Sequence, residues 1–146
     1  MYRQRGAARF KRGPSGADTL RIHAVARLML GASMRNIQTS WVKEGARFAQ
    51  ILLAAGANDL GGTLMNESIS TSAGAQHGQF LSPADLRRII REAGRTPAQR
   101  RTNYELVKVY TNSDDAVEPL DCVADANSEF GSYHNLIASQ SFRFKR

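Results

Sequence analysis

"NIQTSWVKEGARFAQILLAAGANDLGGT", residues 36 to 63, decides the fold. Its first seven residues are bounded by polar neighbours and carry Ile, Thr, Trp and Val, the composition of a strand. Alternation puts Gln38 and Ser40 on one face of that strand and Ile37, Thr39 and Trp41 on the other. "EGARFAQILLAAG" then takes helical spacing, burying Phe48, Ile51, Leu52 and Ala55 and stopping at Gly56. "ANDL" is a second, very short strand, and "GGTL" a turn. Strand, helix and strand in that order make one βα unit of a parallel sheet.

The same rhythm extends in both directions. Upstream, "ADTLRIHAVARLML" is a helix capped by Ser15 or Asp18 and stopped at Gly31. Ile22, Val25, Ala26, Met29 and Leu30 share one of its faces, with Arg21, His23 and Arg27 off it. Downstream, a long loop rich in Gly, Ser and Ala runs to about Phe80. The helix after it has Ser82 as N-cap, Pro83 in its first turn and Asp85 placed as in a capping box. Leu86, Ile89, Ile90 and Ala93 form its apolar stripe, and Gly94 ends it. "YELVKVY", residues 104 to 110, is either a strand or a short helix.

The organisation expected is a basic loop over residues 1–17, βα units over 18–110 and an irregular polar tail over 111–146. The fold class is α/β. A complete eight-unit barrel takes about 250 residues, so 146 residues with three units fit a partial (β/α) TIM-type barrel, a segment of something larger.

Twenty basic against thirteen acidic residues leave a formal charge of +7, a balance compatible with nucleic acid or an anionic surface. The charge is lopsided. Arg3, Arg5, Arg9, Lys11 and Arg12 precede the first acid, while Asp114, Asp115, Glu118, Asp121, Asp125 and Glu129 cluster late. The basic run is a solvated loop, an organelle-targeting peptide or a nucleic-acid arm. Cys122 is the sole cysteine, which excludes an intrachain disulfide and a cysteine-built metal site, and fits a reducing, cytoplasmic setting. No apolar run approaches the roughly 20 residues of a membrane span.

Polar side chains concentrate where parallel βα proteins carry their chemistry, at strand ends and in the loops after them. One cluster is Gln38 with Ser40, which either hydrogen-bonds a ligand or forms a satisfied polar pair. The other is Asn58, Asp59, Thr63 and Glu67 around Gly61 and Gly62. Alternation allows only one of Asn58 and Asp59 to point inward. His77, in the long loop, is a candidate for ligand binding or proton transfer, with simple solvent exposure as the bland alternative. His23 and His134 have no such setting. Neither a P-loop, a nucleophile elbow nor a His-x-x-x-His pair is present.

Five separated motifs carry a resemblance: "HAVARLML", "NIQTSWVKEG", "GANDLGGTLMNESIS", "AGAQHGQ" and "GRTPAQR". Together they are similar to the C-terminal part of the radical-SAM tyrosine–aminouracil transferases of deazaflavin biosynthesis, the CofH-type half of FO synthase. The likeness spans roughly residues 1 to 105. Menaquinone-pathway radical enzymes share a looser version, and a small basic nucleic-acid-binding protein is the alternative from another class.

The resemblance implies a barrel in which S-adenosylmethionine is cleaved at a [4Fe–4S] cluster. It also implies tyrosine and 5-amino-6-(D-ribitylamino)uracil as substrates, with Gln38, Ser40, Asn58, Asp59, Thr63, Glu67 and His77 on the substrate side. One departure stands out. The family binds its cluster through Cys-x-x-x-Cys-x-x-Cys, and cluster iron needs several thiolates. The chain by itself is therefore expected to bind no cofactor and to be inactive without the missing N-terminal barrel half, whether in the same polypeptide or a separate subunit.

Overall fold

The computed structural model describes residues 13–111 and 116–140. The basic run from Arg3 to Arg12 lies outside them. Helix α1, Gly16–Leu30, is capped by Ser15 and not by Asp18. Ser15 Oγ accepts from the Asp18 N–H at 3.2 Å, and the Asp18 carboxylate accepts from the Ser15 N–H at 3.0 Å.

The face that α1 turns inward is not its apolar stripe. Leu20 packs against the core, and Arg27 Nε donates to the Gly56 carbonyl at 2.8 Å. Gly56 makes this approach possible: a Cβ there would sit 2.7 Å from Arg27 Cβ and 2.9 Å from the His23 carbonyl. On the opposite side, Ile22, Val25 and Met29 are 61%, 55% and 79% exposed. The apolar face read from the spacing exists, but nothing among the described residues covers it.

Residues 37–39 run extended and parallel to 58–60. The Asn58 N–H donates to the Ile37 carbonyl at 3.0 Å, the Thr39 N–H to the Asp59 carbonyl at 2.9 Å, and Gln38 lies opposite Asp59. The strand read over 36–42 stops short, because Trp41–Glu44 forms a helical turn, α2. Trp41 and Val42 enter the core from that turn, and Trp41 Nε1 is anchored on the Gly62 carbonyl at 2.9 Å. Gly45, at φ 81°, separates α2 from α3, Ala46–Ala54. The buried face of α3 centres on Ala49 with Leu52 and Leu53, and Ile51 lies across the helix from it, exposed. Of the face expected for this helix, Leu52 is buried and Phe48 and Ala55 are partly so, while Ile51 is corrected to an exposed position.

Trp41, Val42, Ala49, Leu52, Leu53, Ala57, Leu60 and Ile89 form the core. A side chain such as Leu52, fully enclosed, contributes about 1.5–3 kcal/mol by leaving water. Ile89 belongs to α5, Pro83–Glu92, whose N-cap is Ser82, accepting from the Asp85 N–H at 3.1 Å. Leu86, Ile90 and Ala93 pack around the core partly buried. Gln50 Nε2 donates to the Ile89 carbonyl at 3.0 Å and ties α3 to α5. The helices thus stand in a row, α1 beside α3 and α3 beside α5.

Beyond α5 the chain forms an antiparallel hairpin of β1, Ala98–Arg100, and β2, Leu106–Val109, with Ala98 opposite Val109. Residues 104–110 therefore contain a strand, and its pairing is local. The architecture is mixed α/β, with one parallel contact and one small two-stranded sheet.

The long loop holds a short helix, α4, Ser68–Ser72. The tail is not irregular throughout. It contains a 3-10 turn, Pro119–Cys122, and helices α6, Ala126–Phe130, and α7, Tyr133–Ala138. The Phe130 ring packs on Phe80 at 5.6 Å, and Gln79 Nε2 donates to Asn127 Oδ1 at 2.7 Å and to the Gly131 carbonyl at 2.9 Å. Among the described residues no helix is long and apolar enough to cross a membrane.

Candidate functional site

The parallel contact sets the geometry of the polar cluster. Gln38 and Asp59 are paired, so their side chains leave the same face, while Thr39 turns into the core. Asp59 Oδ1 accepts from the Gly61 N–H at 2.8 Å. Asp59 Oδ2 accepts from Arg100 Nε at 2.8 Å, and Arg100 Nη2 reaches the same oxygen. The Arg100 guanidinium lies 4.3 Å from the Tyr104 ring centroid, and its Nη1 donates to the Arg101 carbonyl at 3.1 Å. Tyr104 holds φ at 66°, an uncommon conformation for a residue with a Cβ. The carboxylate is thus matched by a guanidinium on the hairpin.

Gln38 is exposed, and its amide has no partner among the described residues. Gly61 is fitted to it. With φ at 82°, and with a Cβ that would stand 2.7 Å from Gln38 Nε2, this position takes glycine. Ser40 precedes α2, and its hydroxyl makes no capping bond. Thr63 closes the Gly-Gly turn, its carbonyl accepting from the Leu81 N–H at 3.2 Å.

Three other sequence candidates hold backbone together. Asn58 Oδ1 accepts from the Ile37 N–H at 2.8 Å and from Arg27 Nη2 at 3.0 Å, bolting α1 to both extended segments. Asn58 and Asp59 take different partners, Arg27 and the Ile37 N–H for the first and Arg100 for the second. Glu67 is the N-cap of α4, accepting from the Ser70 N–H at 2.8 Å. His77 is exposed and lays its ring along Gly45, where a Cβ would come within 3.0 Å of Nδ1.

A cleft of about 1080 Å³ runs beside residues 57–63, between α1, α5 and the hairpin. Asn58, Asp59 and Thr63 line it, together with Arg100 and Tyr104; Gln38, Ser40, Glu67 and His77 do not. At its far side Arg87 is buried. Nη1 meets Glu118 Oε1 at 2.8 Å and Nη2 meets Asp121 Oδ2 at 2.9 Å. The Tyr110 hydroxyl donates to Glu118 Oε1 at 2.7 Å. Burial, followed by the bond to Glu118, pushes the Tyr110 phenol above its ordinary range. For Asp121 burial raises the carboxyl, but the N–H groups of Glu118 and Ala84 and the Arg87 guanidinium outweigh it and hold it below.

Neither Arg87 nor Arg100 is among the candidate site residues, although Arg100 closes the "GRTPAQR" motif. The late acidic cluster was the only signal for Arg87, since an Arg inside a helix normally faces solvent. Arg100 lay in a stretch with no periodicity at all. Among the described residues no group of three or more His, Cys, Asp or Glu is placed to hold a metal ion.

Comparison with known proteins adds a second line of observation. The model of the CofH/MqnC C-terminal region matches residues 4–113. The 5-amino-6-(D-ribitylamino)uracil–L-tyrosine 4-hydroxyphenyl transferase of Methanopyrus kandleri is 56% identical over 110 residues, 75% of this chain and 29% of the relative. The Archaeoglobus fulgidus protein of the same name is 50% identical over 107 residues, 73% of this chain and 31% of the relative. That of Methanothermobacter thermautotrophicus is 50% identical over 96 residues, 66% and 26%. The chain spans less than a third of the length of these curated relatives. No solved structure matches it.

Proposed function

This chain belongs to the CofH/MqnC C-terminal-region family, and we propose that it supplies the later βα units of a 5-amino-6-(D-ribitylamino)uracil–L-tyrosine 4-hydroxyphenyl transferase. Residues 37–39 and 58–60 are then adjacent staves of a (β/α) barrel, with α1, α3 and α5 in its outer layer. What carries the reading is the parallel contact that sets Gln38 and Asp59 on one face, within the stretch the family shares.

That face is the substrate side. An amide offers a donor and an acceptor together, which suits the imide edge of a uracil. Gln38 is proposed to read that edge, and the Ser40 and Thr63 hydroxyls to bond the polar groups beside it. Asp59, neutralised by Arg100, orients a donor and does not carry a free charge into the site. Asn58, Glu67 and His77 act at one remove, by fixing the backbone that carries these groups. The chain's own contribution is binding, orientation and exclusion of water.

The chemistry implied by the family, S-adenosylmethionine cleaved at a [4Fe–4S] cluster, needs several thiolates. The chain has one cysteine, and Cys122 is exposed. The residues present do not fit a cluster. In this reading the cluster and S-adenosylmethionine are held by the part of the relatives that lies outside the shared region. An anaerobic assay with tyrosine and the aminouracil tests it, run with this chain alone and with the non-shared part of the Methanopyrus kandleri enzyme co-expressed. Turnover is expected only for the pair, and Gln38→Ala should lower it roughly tenfold, the worth of one hydrogen bond. Full turnover by this chain alone, or none by the pair, would overturn the proposal.

A further inference from the structure

We infer that the exposed stripe Ile22, Val25 and Met29 of α1 is the seat of an amphipathic helix belonging to the preceding βα unit. The inference rests on the barrel reading above and adds the surface through which the chain is completed.

The first observation is the helix itself. At 3.6 residues per turn, Leu20, His23 and Arg27 lie on one side of α1 and Ile22, Val25 and Met29 on the opposite side. The first side packs on the core through Leu20 and meets Gly56 through Arg27. The second is apolar, regular and exposed. Three large apolar side chains at helical spacing on an open face are a surface built for burial.

The second observation is the order of the row. α3 meets α1 where Phe48 lies against Gly16 and meets α5 where Gln50 bonds Ile89, on opposite sides of the helix, so the free side of α1 continues the row. A helix already packed on both flanks would leave no room for another.

The third observation lies in the strand that α1 leads into. The Ile37 and Thr39 N–H groups point toward 58–60, bonding Asn58 Oδ1 and the Asp59 carbonyl. Alternation sends the backbone N–H and C=O of Gln38 the other way, to an edge with no partner strand among the described residues. An unpaired strand edge and an unpaired helix flank at the same end of the row call for one occupant that offers both, a βα unit. The occupant is also available. About seven tenths of the Methanopyrus kandleri relative lies outside the shared stretch.

The test is co-expression of the tagged 146-residue chain with the non-shared part of the Methanopyrus kandleri enzyme, followed by affinity capture. Wild-type chain and the double variant Ile22→Glu/Met29→Glu are compared for captured partner and for Tm. Because both side chains are exposed, the variant should keep the wild-type Tm while capture falls at least tenfold. Equal capture by wild type and variant would overturn the inference and leave the barrel reading standing. Loss of a homodimer by the variant, with no capture by either chain, would assign the stripe to a second copy and also overturn it. Absence of any association by a monomeric wild-type chain would instead sink the barrel reading on which the inference rests.

Discussion

The two ends of the helix row are finished differently. At the α5 end, Arg87 turns inward and is met by Glu118 and Asp121, Asp121 Oδ1 accepts from the Ala84 N–H at 2.6 Å, and Tyr110 bonds Glu118. Charge, helix terminus and phenol are all satisfied there by residues 118–121, beyond the stretch the family model matches. At the α1 end the apolar stripe and the adjacent strand edge have no partner among the described residues. One flank is closed from within the chain, and the other is left for something else. Apolar exposure is not confined to the α1 end, since Leu106, Val107, Val109 and Val117 are exposed near the clasp; what sets α1 apart is a stripe at regular helical spacing beside an unpaired strand edge.

Breaking the closed end should cost most. Arg87→Ala removes the cation from two carboxylates in a buried setting, and a loss of about 3–5 kcal/mol is expected in urea unfolding. A loss under 1 kcal/mol would mean the clasp is ornamental. Acid should open the same end next. Asp121 is held below the ordinary carboxylate range, so its stabilisation is complete above that range and is lost as pH falls through it toward the folded value. Wild-type stability should therefore decline on acidification, and an Arg87→Met chain should show a flatter acid limb; parallel limbs would contradict the assignment.

Smaller effects sharpen the contrast. Ser82→Ala removes the cap of α5 and should cost about 1 kcal/mol by thermal melting. Thr39→Val should be neutral or slightly stabilising, because the buried Thr39 hydroxyl has no hydrogen-bond partner among the described residues. At the open end, Val25→Ser should change stability by less than about 0.5 kcal/mol. A large loss there would show that the stripe already has a partner within the chain.

Much of this was legible in the residues. The α5 cap and the helix–strand order follow from local rules that tertiary packing did not override. Gln38 and Thr39 took the faces that alternation assigns. The failures have physical causes. Trp41 left the strand because its indole is better placed from a helical turn, with Gly62 as acceptor. Ile51 is exposed because α3 turns the Ala49 side inward, across the helix from Ile51. The hairpin partner Ala98–Arg100 is polar and three residues long, too short to announce itself. Periodicity marked the α1 stripe correctly as apolar, yet periodicity carries no information on whether the covering surface lies in the same stretch of chain.

Amide hydrogen exchange at residues 36–40 tests the central claim most directly. In the isolated chain the Gln38 amide should exchange far faster than that of Leu52 in α3. It should slow by at least tenfold when the non-shared part of the Methanopyrus kandleri enzyme is bound. A Gln38 amide as protected as Leu52 in the isolated chain, and unchanged by that partner, would contradict the account.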